Sequence, residues 1–234
     1  MISLKKYQIF GERNSGTTYL KQVLDANFKL ECTSEYGFKH WFIKDHQPRG
    51  RPNSTTDNEC LRSLDDSEDT LFIFIVRDPI GWLQSMHKKP YHAPEHKNLS
   101  FGSFIRKKWI CYEKKCPSVH IPGKSMTPWN KKLNEPYYFI EESANICTLR
   151  NEKNAHFLSL KDRVKHFFVI RLDRLLEDIW AMALELNLET KLVEITLPEY
   201  RKPNFYGEIC QEDLGYIKQE LNLELEISLG FKIQ

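Results

Sequence analysis

Residues 7–18 of the chain read YQIFGERNSGTT, and this stretch decides the fold class. Its first four residues are β-prone and end at Gly11, which predicts a short strand. Apolar residues then recur at positions 20, 23, 24 and 28, the spacing of one face of a helix from Thr17 to Phe28. The stretch therefore predicts a strand, a loop and a helix in succession.

The loop has the spacing GxxxxGTT, and its position between strand and helix is that of a phosphate-binding loop. Backbone N–H groups and the helix N-terminus attract an anion there, and the hydroxyls of Ser15, Thr17 and Thr18 add donors. Loops that bind nucleoside triphosphates carry a Lys directly after the second Gly, where this chain has Thr17. The loop predicts binding of one phosphate and disfavours triphosphate hydrolysis; a Gly/Ser turn that opens an ordinary helix is the alternative.

A second motif follows the continuously apolar run Leu71–Val76, which predicts a parallel strand covered on both faces. Asp78-Pro79 then predicts a helix start, because Asp is a good N-cap and Pro suits the first helical position. Arg77 at the strand end and Ser85 on the helix can converge on one phosphate. The alternative is that Arg77-Asp78 is a structural pair that only caps the following helix.

The remaining pattern alternates strands with helices. It predicts a second strand over Tyr36–Ile43 and a strand over His166–Arg171, together with helices over Phe101–Glu113, Glu141–Leu160, Asp173–Leu184 and one or two within 210–230. Such alternation predicts an α/β fold of three layers, with a mostly parallel central sheet flanked by helices. Ligand sites of such sheets lie at the carboxyl ends of the strands, where both motifs are found.

Length and charge limit the function classes. The 234 residues suffice for one α/β core, so residues 1–234 are expected to form a single domain. The formal net charge of +2 is too small for a general nucleic-acid binder, and no nucleic-acid partner is expected. The longest apolar runs are far below the roughly 18 to 20 residues that span a bilayer. The N-terminus lacks a signal-peptide pattern, so the sequence predicts a cytoplasmic protein.

The cysteines predict neither a disulfide framework nor a metal site. Six of them are scattered without a CxxC pair, which favours reduced thiols. Cys111, Cys116 and His120, with His92 and His96, match no standard zinc spacing. We therefore expect no metal.

Taken together, ERNSGTT after the first strand and VRDP with a later Ser resemble the superfamily of sulfotransferases that use 3′-phosphoadenosine 5′-phosphosulfate (PAPS). The resemblance covers about residues 7–30 and 70–90 and is weaker over 168–176. It implies the P-loop-like sulfotransferase fold, PAPS as donor and 3′-phosphoadenosine 5′-phosphate (PAP) as product. It also implies that Arg13, Asn14, Ser15, Gly16, Thr17 and Thr18 hold the 5′-phosphosulfate, and that Arg77 and Ser85 hold the 3′-phosphate.

One position departs from the family pattern, because many members have Lys where this chain has Asn14. That Lys stabilises the bridging oxygen of the leaving phosphate, and we expect Arg13 or, next, Lys39 to replace it. His40 can accept a proton at neutral pH and is the expected general base. Neighbouring residues of a strand point to opposite faces, so only one of Lys39 and His40 would face the site unless the strand ends there. His46, His87 and Glu12 are the reserve candidates.

The expected acceptor carries a hydroxyl or an amine on a small molecule, a carbohydrate or a peptide, and the oligomeric state is left open. Two other functions are compatible with the motifs. A nucleotide or small-molecule kinase would use a degenerate phosphate loop, against which Thr17 argues. A nucleotide-binding module without catalysis is kept open by Asn14.

Overall fold

The computed structural model describes residues 4–37, 39–40, 62–91, 93–114, 126–127, 137–191, 194–199 and 207–233, of which 112–114, 126–127 and 137–141 are described by their backbone. The strands are β1 Lys6–Phe10, β2 Glu31–Cys32, β3 Thr70–Val76, β4 Trp109–Lys114, β5 Met126–Thr127, β6 Tyr137–Ser143 and β7 Phe167–Arg171. The helices are α1 Thr17–Asn27, α2 Pro79–Lys88, α3 Phe101–Arg106, α4 Ile146–Leu158, α5 Leu175–Glu185, α6 Gln211–Glu220 and α7 Leu223–Ser228.

The main sheet has four parallel strands in the order β2-β1-β3-β7. Every residue of β3 is buried, as its uninterrupted apolar sequence requires. From β1 the chain passes to β2 on one side, whereas β3 and β7 lie on the other side. The strand order therefore reverses between β1 and β3, and the crevice at their carboxyl ends is where α/β sheets of this kind bind ligands.

Helices cover both faces of this sheet. On one face, β1 and β3 pack Ile9 and Ile73 against α1 and α5. On the other face, Phe10 and Phe74 pack against Phe157 of α4 and against residues of α7. The alternation follows from the strand period of two. The predicted α/β class, with a parallel sheet between two helical layers, is confirmed.

A second cluster of buried residues lies beyond α4. It joins α2, α3, α4, α6 and the start of β4, with Trp82 and Trp109 among its largest buried side chains. β4, β6 and β5 form an antiparallel sheet in that order. Helix α4 thus packs against the main sheet on one side and against this cluster on the other.

Three predicted elements were wrong in type or extent. The strand predicted at Tyr36–Ile43 is absent from its described part, which forms turns, and Glu31–Cys32 pairs with β1 instead. The helix predicted over Phe101–Glu113 ends at Arg106, and the chain then extends as β4.

The third wrong prediction is the helix over Glu141–Leu160. Its first residues belong to β6, and α4 begins at Ile146 after Asn145, whose side-chain oxygen accepts a hydrogen bond from the Thr148 amide. Asn145 is thus the N-cap that separates strand from helix.

The other predicted elements lie where the pattern indicated, with small shifts at their ends. In the described ranges, none of the helices is both long enough and apolar enough to cross a bilayer.

Candidate functional site

The loop from Gly11 to Gly16 joins β1 to α1 in a conformation that requires its glycines. Gly16 has φ +93° and Gly11 has φ +158°. A Cβ on Gly11 would lie 2.5 Å from the Ile75 carbonyl oxygen of β3, so the loop runs directly against the neighbouring strand. Asn14, at φ 62°, is the third residue of the loop with a positive φ, and Asn tolerates this left-handed conformation better than most residues.

The first turn of α1 suits an anion. Gly16 caps the helix without a side-chain hydrogen bond, and no acidic residue lies in the first turn. The first-turn amides and the positive end of the helix therefore face no acidic side chain from that turn. Ser15 and Thr17 are buried beside it, whereas Thr18 is exposed.

Arg77 lies at the carboxyl end of β3, next to this loop. Its Nη1 is 3.4 Å from the Asn14 carbonyl oxygen, and 11% of its side chain is exposed. Asp78 caps α2 by accepting a hydrogen bond from the Gly81 amide, as the sequence predicted. Ser85, half-buried on α2, has its carbonyl oxygen 3.4 Å from Asn14 Nδ2. The fold thus brings the two sequence motifs together.

The Asn14 side chain binds α2. Its Nδ2 lies 3.1 Å from Met86 Sδ and 3.4 Å from the carbonyl oxygens of Ser85 and Lys89. These contacts hold the loop against the helix, and an amide engaged in this way does not supply the positive charge of a Lys.

Arg13 points toward the second apolar cluster. Its side chain is buried, and Nη1 lies 3.8 Å from Cys111 Sγ of β4. Its carbonyl oxygen accepts a hydrogen bond of 2.8 Å from Trp82 Nε1 of α2. The backbone of Arg13 is therefore anchored by α2, while its guanidinium lies beside β4.

Lys39 lies at the edge of the loop. Its Nζ is 3.4 Å from Thr18 Oγ1, and its carbonyl oxygen accepts a hydrogen bond of 3.0 Å from the Gly11 amide. Burial lowers the pKa of the Lys39 ammonium below its ordinary value. Between Arg13 and Lys39, the geometry favours Lys39 as the cation that faces a ligand in the loop.

His40 is buried directly behind the loop. Its Nδ1 is 2.6 Å from the Gly11 carbonyl oxygen, and because a carbonyl only accepts, Nδ1 carries the proton and Nε2 is the basic nitrogen. Burial lowers the pKa of His40 to about 3, against the opposing effects of the Glu12 carboxylate and the Gly11 carbonyl. The imidazole is thus neutral at physiological pH. Because this segment is a turn, Lys39 and His40 both lie near the loop without the alternation of a strand.

A buried ion pair beneath the loop was not predicted from the sequence. Lys153 of α4 donates to Glu12 Oε1 at 3.0 Å and to the His40 carbonyl oxygen at 2.8 Å, and both side chains of the pair are at most 2% exposed. Burial acts to raise the pKa of Glu12, but the charges of Lys153 and Arg13 outweigh it and hold the pKa below its ordinary value. Glu12 is therefore ionised, and its Oε2 is buried without a hydrogen bond.

A second buried pair of α4 also escaped sequence analysis. Arg150 binds both carboxylate oxygens of Glu226 and donates to the Arg77 carbonyl oxygen. The missed signal is helical spacing, since Arg150 and Lys153 share the buried positions of α4 with Ile146, Leu149 and Phe157. Charged residues at such positions indicate buried partners.

The other candidates lie elsewhere or have structural partners. His87 contacts the Leu99 carbonyl oxygen at 2.8 Å through Nε2. His46 lies outside the described residues. No three His, Cys, Asp or Glu side chains in the described segments gather closely enough to hold a metal ion.

A groove of about 940 Å³ lies on the other side of α2. Gln84, His87 and Lys88 line it, together with residues of α3 and of the segment that precedes α6. Trp82 and Met86, by contrast, face the loop. Helix α2 therefore separates this groove from the loop.

The arrangement combines oriented amides, hydroxyls and two cations, Arg77 and Lys39, at the point where the strand order reverses. It can bind a ligand with two separate anionic groups, one in the loop and one at Arg77. No family model, curated protein or solved structure matches the chain.

Proposed function

We propose that the chain is a sulfotransferase that moves a sulfuryl group from PAPS to a hydroxyl or amine acceptor. One observation carries the proposal: Arg77 at the end of β3 lies beside the loop that follows β1, and this loop has the spacing of a phosphate loop without its lysine. A donor with a 5′-phosphosulfate and a separate 3′-phosphate matches two anion sites of which neither extends to a γ-phosphate. The resemblance of both motifs to PAPS-dependent sulfotransferases supports the same assignment.

In this proposal the loop amides and the hydroxyls of Ser15, Thr17 and Thr18 bind the 5′-phosphosulfate. Arg77 and Ser85 bind the 3′-phosphate. Arginine suits this role because its planar fork of donors matches phosphate oxygens.

The transfer is an in-line displacement, by analogy with phosphoryl transfer. A bond forms between the acceptor oxygen or nitrogen and sulfur, the bond from sulfur to the bridging oxygen breaks, and PAP leaves with that electron pair. Lys39 stabilises the negative charge on the bridging oxygen. Stabilisation of the bridging oxygen by Arg13 stays a prediction from the sequence, because the Arg13 guanidinium lies beside Cys111.

The acceptor proton passes to Nε2 of His40. With its pKa lowered to about 3, His40 is a weak base. A weak base suffices in a loose transition state, because the proton leaves after the acceptor has begun to bond to sulfur and has become acidic. Glu12 is the reserve base, although Lys153 engages one of its oxygens.

A nucleotide-binding module without catalysis is the second candidate. It is favoured by one observation, the engagement of Asn14 Nδ2 with α2 in place of a loop lysine. Transfer of labelled sulfate from PAPS to a panel of hydroxyl and amine acceptors distinguishes the two, since the module binds PAP and transfers nothing.

The donor assignment is tested by titration calorimetry with PAP, ATP and adenosine 5′-phosphosulfate, which lacks the 3′-phosphate. The wild type should prefer PAP. Arg77→Ala should weaken PAP binding by about 2–4 kcal/mol, as expected for a charge-assisted contact, and barely affect adenosine 5′-phosphosulfate.

Arg171→Ala is the matched control. Arg171 ends β7, pairs in register with Val76, and is engaged by Asp173 and Gly230, so its loss should leave the preference for PAP unchanged. Equal losses for both ligands in Arg77→Ala would mean that Arg77 supports the fold and does not bind the 3′-phosphate. Tighter binding of ATP than of PAP would favour a kinase.

A further inference from the structure

Helix α4 presents a buried arginine to the end of β3. Arg150 is 1% exposed, and its Nη2 donates to the Arg77 carbonyl oxygen at 2.8 Å. This carbonyl belongs to the residue that carries the proposed contact to the 3′-phosphate. The orientation of the Arg77 peptide sets the direction in which its side chain leaves the backbone.

Glu226 of α7 holds Arg150 in place. Its two oxygens accept from Arg150 Nε at 2.6 Å and from Nη2 at 2.8 Å, a bidentate pair that fixes the plane of the guanidinium. Both side chains are at most 2% exposed. Since the carboxylate neutralises Arg150, the pair offers no net charge to a ligand, and its influence on binding passes through the groups it orients.

The same guanidinium packs against the anchor of the phosphate loop. Its Cζ lies 5.2 Å from the centre of the Trp82 ring, within the range of a cation–π contact. Trp82 Nε1 in turn donates to the Arg13 carbonyl oxygen at 2.8 Å. Arg150 therefore contacts the backbone of one anion site and the side chain that holds the other.

We propose that Arg150, held by Glu226, is a positioning residue that aligns Arg77 with the phosphate loop and thereby sets the specificity for nucleotides that carry a 3′-phosphate. This inference rests on the proposed function. Arg150 itself touches neither the donor nor the acceptor. Its effect should appear in the ratio of affinities for PAP and adenosine 5′-phosphosulfate, because only PAP requires the distance between the two anion sites to be correct.

The test is Arg150→Lys, measured by titration calorimetry with both nucleotides and by thermal unfolding. Lysine keeps the positive charge opposite Glu226 but lacks the planar fork that binds two oxygens of Glu226 and the Arg77 carbonyl together. We expect PAP affinity to fall roughly tenfold, as for a misplaced binding group, and adenosine 5′-phosphosulfate affinity to change less than about threefold. Glu226→Gln should shift the ratio in the same direction.

Arg106→Lys is the matched control, since Arg106 also binds a carboxylate, Asp213, and lies 4.6 Å from the Tyr216 ring, away from the loop. It should leave the ratio unchanged. If Arg150→Lys does not fold, the double variant Arg150→Met/Glu226→Leu decides, because it removes the buried pair without leaving a lone charge.

An unchanged ratio in the folded variants, or equal losses for both nucleotides, would overturn the positioning role. A wild type that does not prefer PAP over adenosine 5′-phosphosulfate would instead contradict the proposed function. The two failures are therefore separable in one set of titrations.

Discussion

Replacing Lys153 by methionine should destabilise the protein by about 3–5 kcal/mol, the usual effect of breaking a buried ion pair by removing one partner. The ammonium of Lys153 is fully buried and binds both Glu12 and the His40 carbonyl oxygen. Its loss leaves a buried carboxylate whose second oxygen already lacks a hydrogen bond. For a chain of 234 residues, this corresponds to a drop in Tm of roughly 6–20 °C.

The double variant Glu12→Gln/Lys153→Met should be more stable than Lys153→Met alone, because it removes the unpaired charge. Urea unfolding at constant pH measures the free energy of unfolding of the wild type and of each variant. The matched control is Lys29→Met, which removes an exposed partner of Glu189 and should change stability by less than about 1 kcal/mol. A loss in Lys153→Met no larger than in this control, or a double variant as unstable as the single one, would refute the reasoning.

The pH dependence of the free energy of unfolding gives a second test of the pair formed by Glu12 and Lys153. In the wild type the pKa of Glu12 lies below its ordinary value, so its contribution to stability is present above the unfolded pKa and is lost as the pH falls. In Lys153→Met, burial is no longer opposed by the lysine and should raise the pKa of the carboxyl group. The difference in the free energy of unfolding between the wild type and Lys153→Met should therefore become smaller as the pH falls.

Two further predictions concern the loop and the histidine behind it. Gly11→Ala should destabilise the fold by roughly 1–3 kcal/mol and weaken PAP binding, because the new Cβ would lie 2.5 Å from the Ile75 carbonyl oxygen. Gly215→Ala in α6 is the matched control: its Cβ would have nothing within 4 Å, so the variant should be more stable than the wild type by about 0.5–1 kcal/mol. Chemical denaturation checks both, and a neutral Gly11→Ala would argue against the tight approach of the loop to β3. Because the pKa of His40 is lowered to about 3, the free energy of unfolding should fall as the pH drops from about 6.5 toward 3, by up to about 5 kcal/mol from this group. His40→Gln should reduce that slope, and an identical pH profile would mean that His40 is not kept neutral by the fold.

Local sequence patterns were sufficient for the elements that carry the two motifs. Uninterrupted apolar residues predicted β3, and Asp78-Pro79 predicted the start of α2, because burial on both faces and helix capping depend on neighbouring residues. The extent of α3 and the strand β6 were not predicted. Aromatic and β-branched residues there fit either helical or strand spacing, and pairing between β4 and β6 decides in favour of the strand.

The site was predicted in part for the same reason. Spacing alone identified the loop and Arg77 as candidates, and the fold places Arg77 Nη1 3.4 Å from the Asn14 carbonyl oxygen. It could not distinguish Arg13 from Lys39, since the direction of the Arg13 side chain depends on Cys111, a residue far along the chain. Their roles with a donor stay predictions.

By itself, the sequence determined the α/β class, the strand–loop–helix context of residues 11–16 and the position of Arg77, because these depend on hydrophobic periodicity, glycine and capping within short segments. Only the tertiary structure decided which side chains surround the loop. From α4, Lys153 binds Glu12 of the loop, 141 residues away in sequence, and Arg150 binds the Arg77 carbonyl oxygen, 73 residues away. Their carboxylate partners, Glu12 and Glu226, come from opposite ends of the sequence. Charges of this kind are tolerated in the interior only where the fold brings the partner to them, and no local pattern records that encounter.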